Sequence, residues 1–591
     1  MSEPGNTSAE LDSGTRRRVK LRIWLSDHLR INELQATLLW AAVIGLLGAW
    51  TSIGFKEATE WLHHAFTGYS GEHENYTESF RTMPDWRRVL VPGIGGLLAG
   101  MTLLFGNRFK AQANSTDYME AVVVGDGNLS VKVSLVKSTS AWFSGASGAS
   151  IGREGPLVQL SSLVASIAGR LMKFPLARKR QLVACGAAAG IASAYNAPIA
   201  GAFFVAEIVL GSVAMEAFGP LVISSVIATL TTRAHYGGEA MYAAPVFTMH
   251  ANRELLPYLA LGLLCGFGAP LFLSLMKAGE RIFGRLKLPV WARLALGGLI
   301  VGALAVFHPE VAGNGRDLVF AVLHDPGTWQ TLAIILGCKL IATAATFGSG
   351  AVGGVFTPTL FTGAACGYLF GVAASALLPG WHLEPGAFGL VGMGAFLAAA
   401  TGAPVMAIIM LFELTLNYQI LMPVMLAGVV GYYVCRSLNP RTLYSEALKR
   451  KGAAAVAQHL ATLKVGDLML SDPHTLPPHA SFGEVARAFL QSRHEFLYVA
   501  SGEKFLGAVS LHDIKGYLDQ PELGSLLIAR DVMREDFPHL QPGQTMNEAL
   551  DTFGESDSER LPVTNAVGKL IGTVAKTDVL LFLAGKPRKP A

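Results

Sequence analysis

Residues 147–156 read Ser-Gly-Ala-Ser-Ile-Gly-Arg-Glu-Gly-Pro, and residues 349–358 read Ser-Gly-Ala-Val-Gly-Gly-Val-Phe-Thr-Pro. Both stretches fit one pattern, S-G-A-x-x-G-x-x-x-P, and both lie inside strongly apolar sequence. A second pair of landmarks follows them, because the Ala-Pro at 197–198 and the Ala-Pro at 403–404 lead to Glu207 and Glu413 at equal spacing. Duplicated, glycine-interrupted apolar segments are typical of proteins with an ion site near the middle of the bilayer.

The composition predicts a helical membrane protein with many crossings and a soluble tail. The chain has 591 residues, of which 15% are charged, against about 25% in soluble globular chains. Its mean hydropathy is +0.40, and its apolar segments are long enough to cross about 30 Å of hydrocarbon. The sequence has no basic stripe with interleaved aromatic residues, so a nucleic-acid partner is not predicted. The five cysteines show neither metal-ligand nor disulfide spacing, and no metal site is predicted.

Basic residues at both ends of the apolar region predict the orientation. Positive charge accumulates in the cytoplasmic loops of membrane proteins. We therefore expect a multi-pass protein of the cell membrane, with both termini in the cytoplasm and an even number of crossings. The basic residues concerned are Arg16, Arg17, Arg18, Lys20 and Arg22 before the first apolar run, and Arg436, Arg441, Lys449, Arg450 and Lys451 after the last.

A charged pair, Arg153 and Glu154, interrupts the first apolar stretch. A charge at membrane depth is costly and marks a candidate functional site. The neighbouring glycines leave backbone amides open at a predicted helix start, where an anion binds without a cationic side chain. A carboxylate there competes with a permeant anion until it is protonated, so Glu154 is predicted to be a gate. The alternative is a structural glutamate paired with Arg153. In the second stretch Phe356 replaces the glutamate, and Gly354 and Val355 again offer amides.

The sequence after Leu443 alternates strand-like and helix-like segments and contains its own repeat. Val465-Gly-Asp-Leu-Met469 opens one copy and Ala529-Arg-Asp-Val-Met533 opens the next. The copies end in related segments, 506–513 and 571–578. This pattern indicates a small α/β unit made of two similar halves.

Four motifs resemble the signatures of the CLC chloride channel and transporter family, and the likeness covers about 35–584. They are Gly152-Arg-Glu-Gly-Pro156, Gly354-Val-Phe-Thr-Pro358, Phe412-Glu-Leu-Thr-Leu-Asn-Tyr418 and Leu443-Tyr-Ser445. The resemblance implies an all-α polytopic membrane domain, built as an inverted repeat of broken helices, with a cytoplasmic α/β CBS pair. It also implies a homodimer that conducts chloride and related anions through one pore per subunit, with no required cofactor. The gate would be Glu154, the central anion would bind the amides of Val355 and Phe356 and the hydroxyl of Tyr444, and the selectivity motif would be Gly152, Arg153, Gly155, Pro156 and Gly354.

The same resemblance divides the chain into domains and suggests a ligand for the tail. The expected divisions are 1–33 (cytoplasmic segment), 34–443 (membrane domain, with repeats at about 34–240 and 255–440), 444–463 (linker), 464–525 (first CBS copy) and 526–584 (second copy). CBS pairs in this setting are associated with adenine nucleotides, and Ser510 and Asp513 fit the ribose signature. In the second copy Asp578 remains but Ala575 replaces the hydroxyl. The alternative is a purely structural tail.

Two positions depart from the family pattern. The first anion motif, usually Gly-Ser-Gly-Ile-Pro, reads Gly-Asp-Gly-Asn-Leu at 125–129. Asp126 could cap its helix, face away or be protonated, which leaves the amides near Gly127 or the hydroxyl of Ser130 to bind the anion. Ile208 follows Glu207 where antiporters often carry a second glutamate that passes protons inward.

The second departure, Ile208, favours a passive channel slightly over a chloride/proton antiporter that uses another proton route, such as water and Glu207. A fluoride-selective variant stays open, although the intact 152–156 motif favours chloride. Two remote alternatives are a rhomboid-like intramembrane protease, because 145–148 resembles its nucleophile motif, and a CBS-tailed divalent cation transporter.

Overall fold

The computed structural model describes residues 33–69, 71, 75–106, 115–123, 125–211, 215–242, 252–439, 463–470, 473, 475–491, 496–518, 526–554, 556 and 558–583. These residues fall in two compact units, one within 1–449 and one within 450–591. Tyr444, the predicted linker up to residue 462 and the N-terminal segment up to residue 32 lie outside the described residues.

The first unit is entirely helical in its described part. Its α-helices are α1 (Glu33–Thr67), α2 (Tyr76–Thr82), α3 (Asp85–Gly106), α4 (Tyr118–Val123), α5 (Val131–Ala146), α6 (Glu154–Leu171), α7 (Leu176–Tyr195), α8 (Pro198–Phe203), α9 (Met215–Tyr236), α10 (Leu255–Arg285), α11 (Val290–Phe307), α12 (Arg316–His324), α13 (Trp329–Ser349), α14 (Phe356–Leu377), α15 (Pro385–Thr401), α16 (Pro404–Thr415) and α17 (Leu421–Leu438). A π-helical turn, Phe204–Val209, continues α8. Short 3-10 turns lie at Asn252–Glu254, Pro309–Val311 and Pro379–Trp381.

Eight of these helices are long and apolar enough to cross a membrane: α1, α3, α9, α10, α11, α13, α14 and α17. Helices α8, α15 and α16 are shorter and begin with proline, whose fixed φ and missing N–H suit the first helical position. Short helices at membrane depth are tolerated where protein surrounds them. Helix α15 meets this condition, since every residue from Ala387 to Thr401 is buried.

Glycines let the helix backbones touch in the centre of this unit. A Cβ on Gly96 of α3 would lie 2.2 Å from the carbonyl oxygen of Leu294 in α11. Between α14 and α15 the contact is reciprocal, because a Cβ on Gly363 would meet the Gly392 carbonyl oxygen at 2.4 Å and one on Gly392 would meet the Gly363 oxygen at 2.3 Å. Close packing of small residues is a principal attraction between helices in lipid. These glycines therefore set the helix positions.

The second unit has two interleaved α/β halves. The first contains α18 (Val465–Leu468), β1 (Thr475–Leu476), α19 (Phe482–Gln491), β2 (Phe496–Ser501), β3 (Lys504–Ser510) and α20 (Leu511–Leu518), and the second contains α21 (Ala529–Val532), α22 (Met546–Gly554), β4 (Arg560–Thr564), β5 (Leu570–Ala575) and α23 (Lys576–Leu583). Strand β2 pairs parallel with β1 and antiparallel with β3, and β4 pairs antiparallel with β5. Single bridges such as Leu470 to Thr573 join the halves. The predicted combination of an all-α membrane unit and an α/β tail is confirmed.

Candidate functional site

The two duplicated stretches meet at one point of the membrane unit. The amide of Gly152 donates to the carbonyl of Gly354 over 2.6 Å, and the amide of Gly354 donates back to Gly152 over 2.9 Å. Two residues later, α6 begins at Glu154 and α14 begins at Phe356. First-turn amides have no partner inside their own helix, and they carry partial positive charge. Two such helix starts therefore diverge from one small bridge, with Val355 and Phe356 buried beside it.

The Glu154 side chain is folded into this junction, with only 7% of its surface exposed. Its Oε1 accepts hydrogen bonds from the Tyr195 hydroxyl at the end of α7 and the Thr357 hydroxyl in the first turn of α14. The two hydroxyl oxygens lie 3.0 Å apart, so the three oxygens form a closed triangle. The Tyr195 ring also packs against Phe356, with ring centroids 5.0 Å apart. Helices from both repeats thus hold this carboxylate.

The other oxygen of the carboxylate, Oε2, occupies space that is free because residues 152 and 354 are glycines. A Cβ on Gly152 would lie 1.9 Å from Oε2, and one on Gly354 would lie 2.8 Å from it. Within the described part of the chain, Oε2 is buried and accepts no hydrogen bond. Glycine at 152 is therefore required for the carboxylate to occupy this position. A protonated Glu154 would lose much of its attraction to the helix-start amides.

Basic residues surround the cavity above Glu154. Three basic residues line it: Lys56 of α1, Arg153 just before α6, and Arg316 of α12. The buried ring of Tyr242 lines it as well. The Arg153 guanidinium lies 5.7 Å from the centre of the Tyr76 ring. Positive charge at the mouth of a cleft concentrates anions near it.

The two glutamates at equal spacing bind each other's repeat. The Glu207 carboxylate, in the π-helical turn after α8, accepts from the amides of Val405 and Met406 in α16 over 3.3 and 2.7 Å. The Glu413 carboxylate, in α16, accepts from the amides of Ile199 and Ala200 in α8 over 2.9 and 2.8 Å. Each repeat therefore caps the start of the other's short helix, where a carboxylate is favoured. The prediction that Glu207 carries protons stays a prediction.

The segment 125–129, where the first anion motif differs from the family pattern, is held by internal hydrogen bonds. Asp126 is exposed, and its Oδ1 accepts from the Asn128 amide over 3.0 Å, a contact within its own turn and not a cap on a helix. The Gly127 amide donates to the Ala121 carbonyl over 3.2 Å. Ser130 is buried and precedes α5. The anion-binding roles expected of Gly127 and Ser130 stay predictions.

The serine expected of an intramembrane protease does not form a nucleophile site. Ser147 is fully buried, and its hydroxyl donates to the Ser144 carbonyl over 2.9 Å. The nearby buried His63 contacts the Ala146 carbonyl and the Ser79 hydroxyl instead, at 2.9 and 3.1 Å. A nucleophilic serine requires a base within hydrogen-bond reach of its oxygen. These contacts give Ser147 a structural role.

In the tail, the candidate ribose carboxylate is already paired. Arg534 of the second half donates to both oxygens of Asp513 over 2.7 Å each. The Ser510 hydroxyl oxygen accepts from the His512 amide over 3.0 Å. In the second half, Asp578 accepts from the Ala575 amide over 3.3 Å. Ser510 is the last residue of β3, and Asp513 and Asp578 lie in the helices that follow their strands, α20 and α23. Nucleotide binding by these residues stays a prediction, and Arg534 was not identified from the sequence.

Family models match both units. Residues 95–436 match the model described as a voltage gated chloride channel, and residues 465–520 and 529–585 match the CBS domain. A ClcB-like chloride channel protein of Ralstonia nicotianae is 50% identical over 414 residues, which are 69% of this chain and 96% of that protein. The resemblance drawn from the motifs is confirmed.

Solved structures give the same result for the fold. The crystal structure of a slow cyanobacterial Cl⁻/H⁺ antiporter is similar with a TM-score of 0.62 and 25% identity, over 71% of this chain and 98% of that one. The crystal structure of a eukaryotic CLC transporter has a TM-score of 0.58 and 18% identity, over 92% of this chain and 97% of that one. The second likeness extends over the tail as well as the membrane unit, and the predicted fold class is confirmed.

Proposed function

Since the chain belongs to the voltage-gated chloride channel family, a family of anion transport proteins and not of enzymes, we propose that it carries chloride through a pore in each subunit under the control of Glu154. The observation that supports this most strongly is the junction of Gly152 and Gly354, from which two helix starts emerge with a buried carboxylate between them. A dehydrated anion needs hydrogen-bond donors that bind it weakly enough to release it. Backbone amides at helix starts meet this requirement.

The gating step is a competition for the position beside these helix-start amides. With Glu154 ionised, its carboxylate fills the junction and repels an incoming anion. Protonation cancels the charge, the side chain leaves, and chloride takes its place near the amides of Val355 and Phe356. We propose that the hydroxyl of Tyr444 donates a hydrogen bond to this chloride from the cytoplasmic side. Ser130 would take the place of the serine that is usual in the family. The basic cavity above Glu154 supplies anions from the other side.

A passive channel is favoured over an antiporter. An antiporter needs a proton path from the cytoplasm to Glu154, and the neighbour of Glu207 is Ile208, which carries no proton. Both oxygens of Glu207 also accept amide hydrogen bonds, so the carboxylate is used in helix capping. The alternative is an antiporter with another inward route, as the similar cyanobacterial structure is of a Cl⁻/H⁺ antiporter.

The surroundings of the pore follow from the same proposal. We place the protein in the cell membrane as a homodimer, with both termini in the cytoplasm. The CBS pair would then lie in the cytoplasm, where adenine nucleotide at Ser510 and Asp513 would act as a regulator and not as a cofactor of transport.

Flux in reconstituted liposomes tests this proposal. We expect chloride to leave the liposomes once valinomycin lets potassium follow it, with a rate that rises as the pH falls. Glu154→Ala is expected to give a high rate that no longer depends on pH. Cation selectivity, or pH gating retained in Glu154→Ala, would contradict the proposal. A chloride gradient that drives protons uphill would replace the channel with the antiporter.

A further inference from the structure

We infer that Tyr195 and Thr357 are positioning residues that hold the Glu154 carboxylate in its closed position and thereby set the pH at which transport is activated. This inference rests on the proposed function, because it takes Glu154 to be the gate. It adds two residues from outside the gate's own helix. One comes from the end of α7, and the other comes from the first turn of α14.

The hydroxyl contacts are specific to one oxygen of the carboxylate. Both hydroxyls donate to Oε1, and they lie 3.0 Å from each other. Thr357 is 3% exposed and Tyr195 is 4% exposed, so both donors are buried. Buried hydrogen bonds to a charged group are stronger than those between neutral groups. The two donors therefore stabilise the ionised, folded-in side chain.

The two oxygens of the carboxylate differ in their partners. Oε2 lies against Gly152 and Gly354, and within the described residues no group donates a hydrogen bond to it. The hydrogen bonds that hold the closed carboxylate therefore converge on Oε1. A proton on Oε1 would displace one of the two hydroxyl donors, and a proton on either oxygen cancels the charge that strengthens both bonds. The two hydroxyls thus favour the ionised side chain in the closed position.

Other charged and titratable groups face the same cavity and act on Glu154 from a greater distance. They are Lys56 on α1, Arg153 before α6, Tyr242 after α9 and Arg316 on α12. The basic groups also favour the ionised carboxylate through their positive charge. The effect of the hydroxyls is therefore separable by substitutions that leave every charge in place.

The test is the pH profile of chloride flux from liposomes that contain the full chain. Tyr195→Phe keeps the ring on Phe356 and Thr357→Val keeps the side-chain volume, so both are expected to fold. Because a donor to the charged form makes protonation harder, losing one moves the activation midpoint to higher pH. We expect about one pH unit for each variant, since a hydrogen bond to a buried charge is worth about a factor of ten.

Three controls separate positioning from general effects. Thr357→Ser retains a hydroxyl and is expected to keep the wild-type midpoint. Tyr242→Phe removes a buried hydroxyl from the same cavity that has no hydrogen-bond partner among the described residues, and it is also expected to keep that midpoint. In a Glu154→Ala background, neither Tyr195→Phe nor Thr357→Val should alter the flux.

The outcomes distinguish this inference from the proposed function. If Glu154→Ala abolishes the pH response while both hydroxyl variants keep the wild-type midpoint, the positioning role is wrong and the gate stands. A shift that persists in the Glu154→Ala background, or one that Tyr242→Phe reproduces, also overturns the positioning role. If Glu154→Ala retains the wild-type pH response, the gate itself is wrong and this inference falls with it.

Discussion

The two repeats have the same backbone plan at their centre but carry different side chains there. Gly152 and Gly354 bond to each other as equals, whereas the first turn that follows has Glu154 in α6 and Phe356 in α14. The glutamates at 207 and 413 are equal again, since each accepts two amides of the opposite repeat. The symmetric positions hold the repeats together, and the asymmetric position supplies the candidate gate.

The largest effect is expected from a methyl group placed under the gate. Gly152→Ala should raise chloride flux at pH 7 about tenfold and flatten its pH profile, because the new Cβ would lie 1.9 Å from Oε2. Overpacking of this kind costs about 1–3 kcal/mol, which the mobile side chain avoids by moving out. Liposome flux between pH 4.5 and 7.5 is the measurement.

The matched change in the other repeat is Gly354→Ala. Its Cβ would lie 2.8 Å from the same oxygen, so we expect an increase in the same direction but smaller. A larger effect for Gly354→Ala than for Gly152→Ala, or slower flux in both folded variants, would contradict the position assigned to the closed gate.

A smaller and symmetric effect is expected at the capping glutamates. Glu207→Gln and Glu413→Gln should each lower the free energy of unfolding by about 2 kcal/mol, because an amide side chain accepts only one of the two helix-start hydrogen bonds and leaves one N–H unpaired. Thermal unfolding in detergent measures this. We expect equal losses and little change in flux per folded protein.

The pair also tests the proton route. If Glu207→Gln abolishes chloride-driven proton movement and Glu413→Gln does not, Glu207 has a function beyond capping, and the antiporter reading is correct. If neither liposome preparation nor the wild type moves protons uphill, the symmetric role is sufficient.

The smallest effect concerns the tail, where the two halves again differ. Arg534→Gln should raise ATP affinity of the full chain about threefold, because a partly exposed ion pair worth up to about 1 kcal/mol no longer competes for Asp513. Asp513→Ala should lower the affinity more than Asp578→Ala. Equilibrium binding of labelled ATP measures these changes, and weaker binding in Arg534→Gln would show instead that the arginine holds the nucleotide.

The sequence identified the residues that repeat, but not the way in which the copies combine. The equal spacing to Glu207 and Glu413 marked them as a pair, yet spacing within one repeat does not say that each binds the helix of the other. The meeting of 147–156 with 349–358 was predictable because both are open helix starts in an ion-pathway pattern. The direct hydrogen bonding between Gly152 and Gly354 could be learned only from the folded structure.

The hydroxyls at the gate show a second limit. Thr357 lies inside the quoted stretch 349–358 and was available as a signal, but a threonine beside a proline has many structural uses. Tyr195 is 41 residues from Glu154 in the chain and ends an alanine-rich helix, so no local pattern marks it. At 125–129 the sequence alone left several roles open for Asp126. The hydrogen bond from the Asn128 amide shows that its carboxylate stabilises its own turn.

The most direct measurement is the position of a bound halide in crystals of Glu154→Gln soaked in bromide, located by its anomalous scattering. We predict a peak at the junction of the two repeats, within hydrogen-bond reach of the amides that begin α6 or α14. Bromide bound only elsewhere, with no peak at these helix starts, would contradict the claim that the duplicated glycine-rich stretches form the anion path.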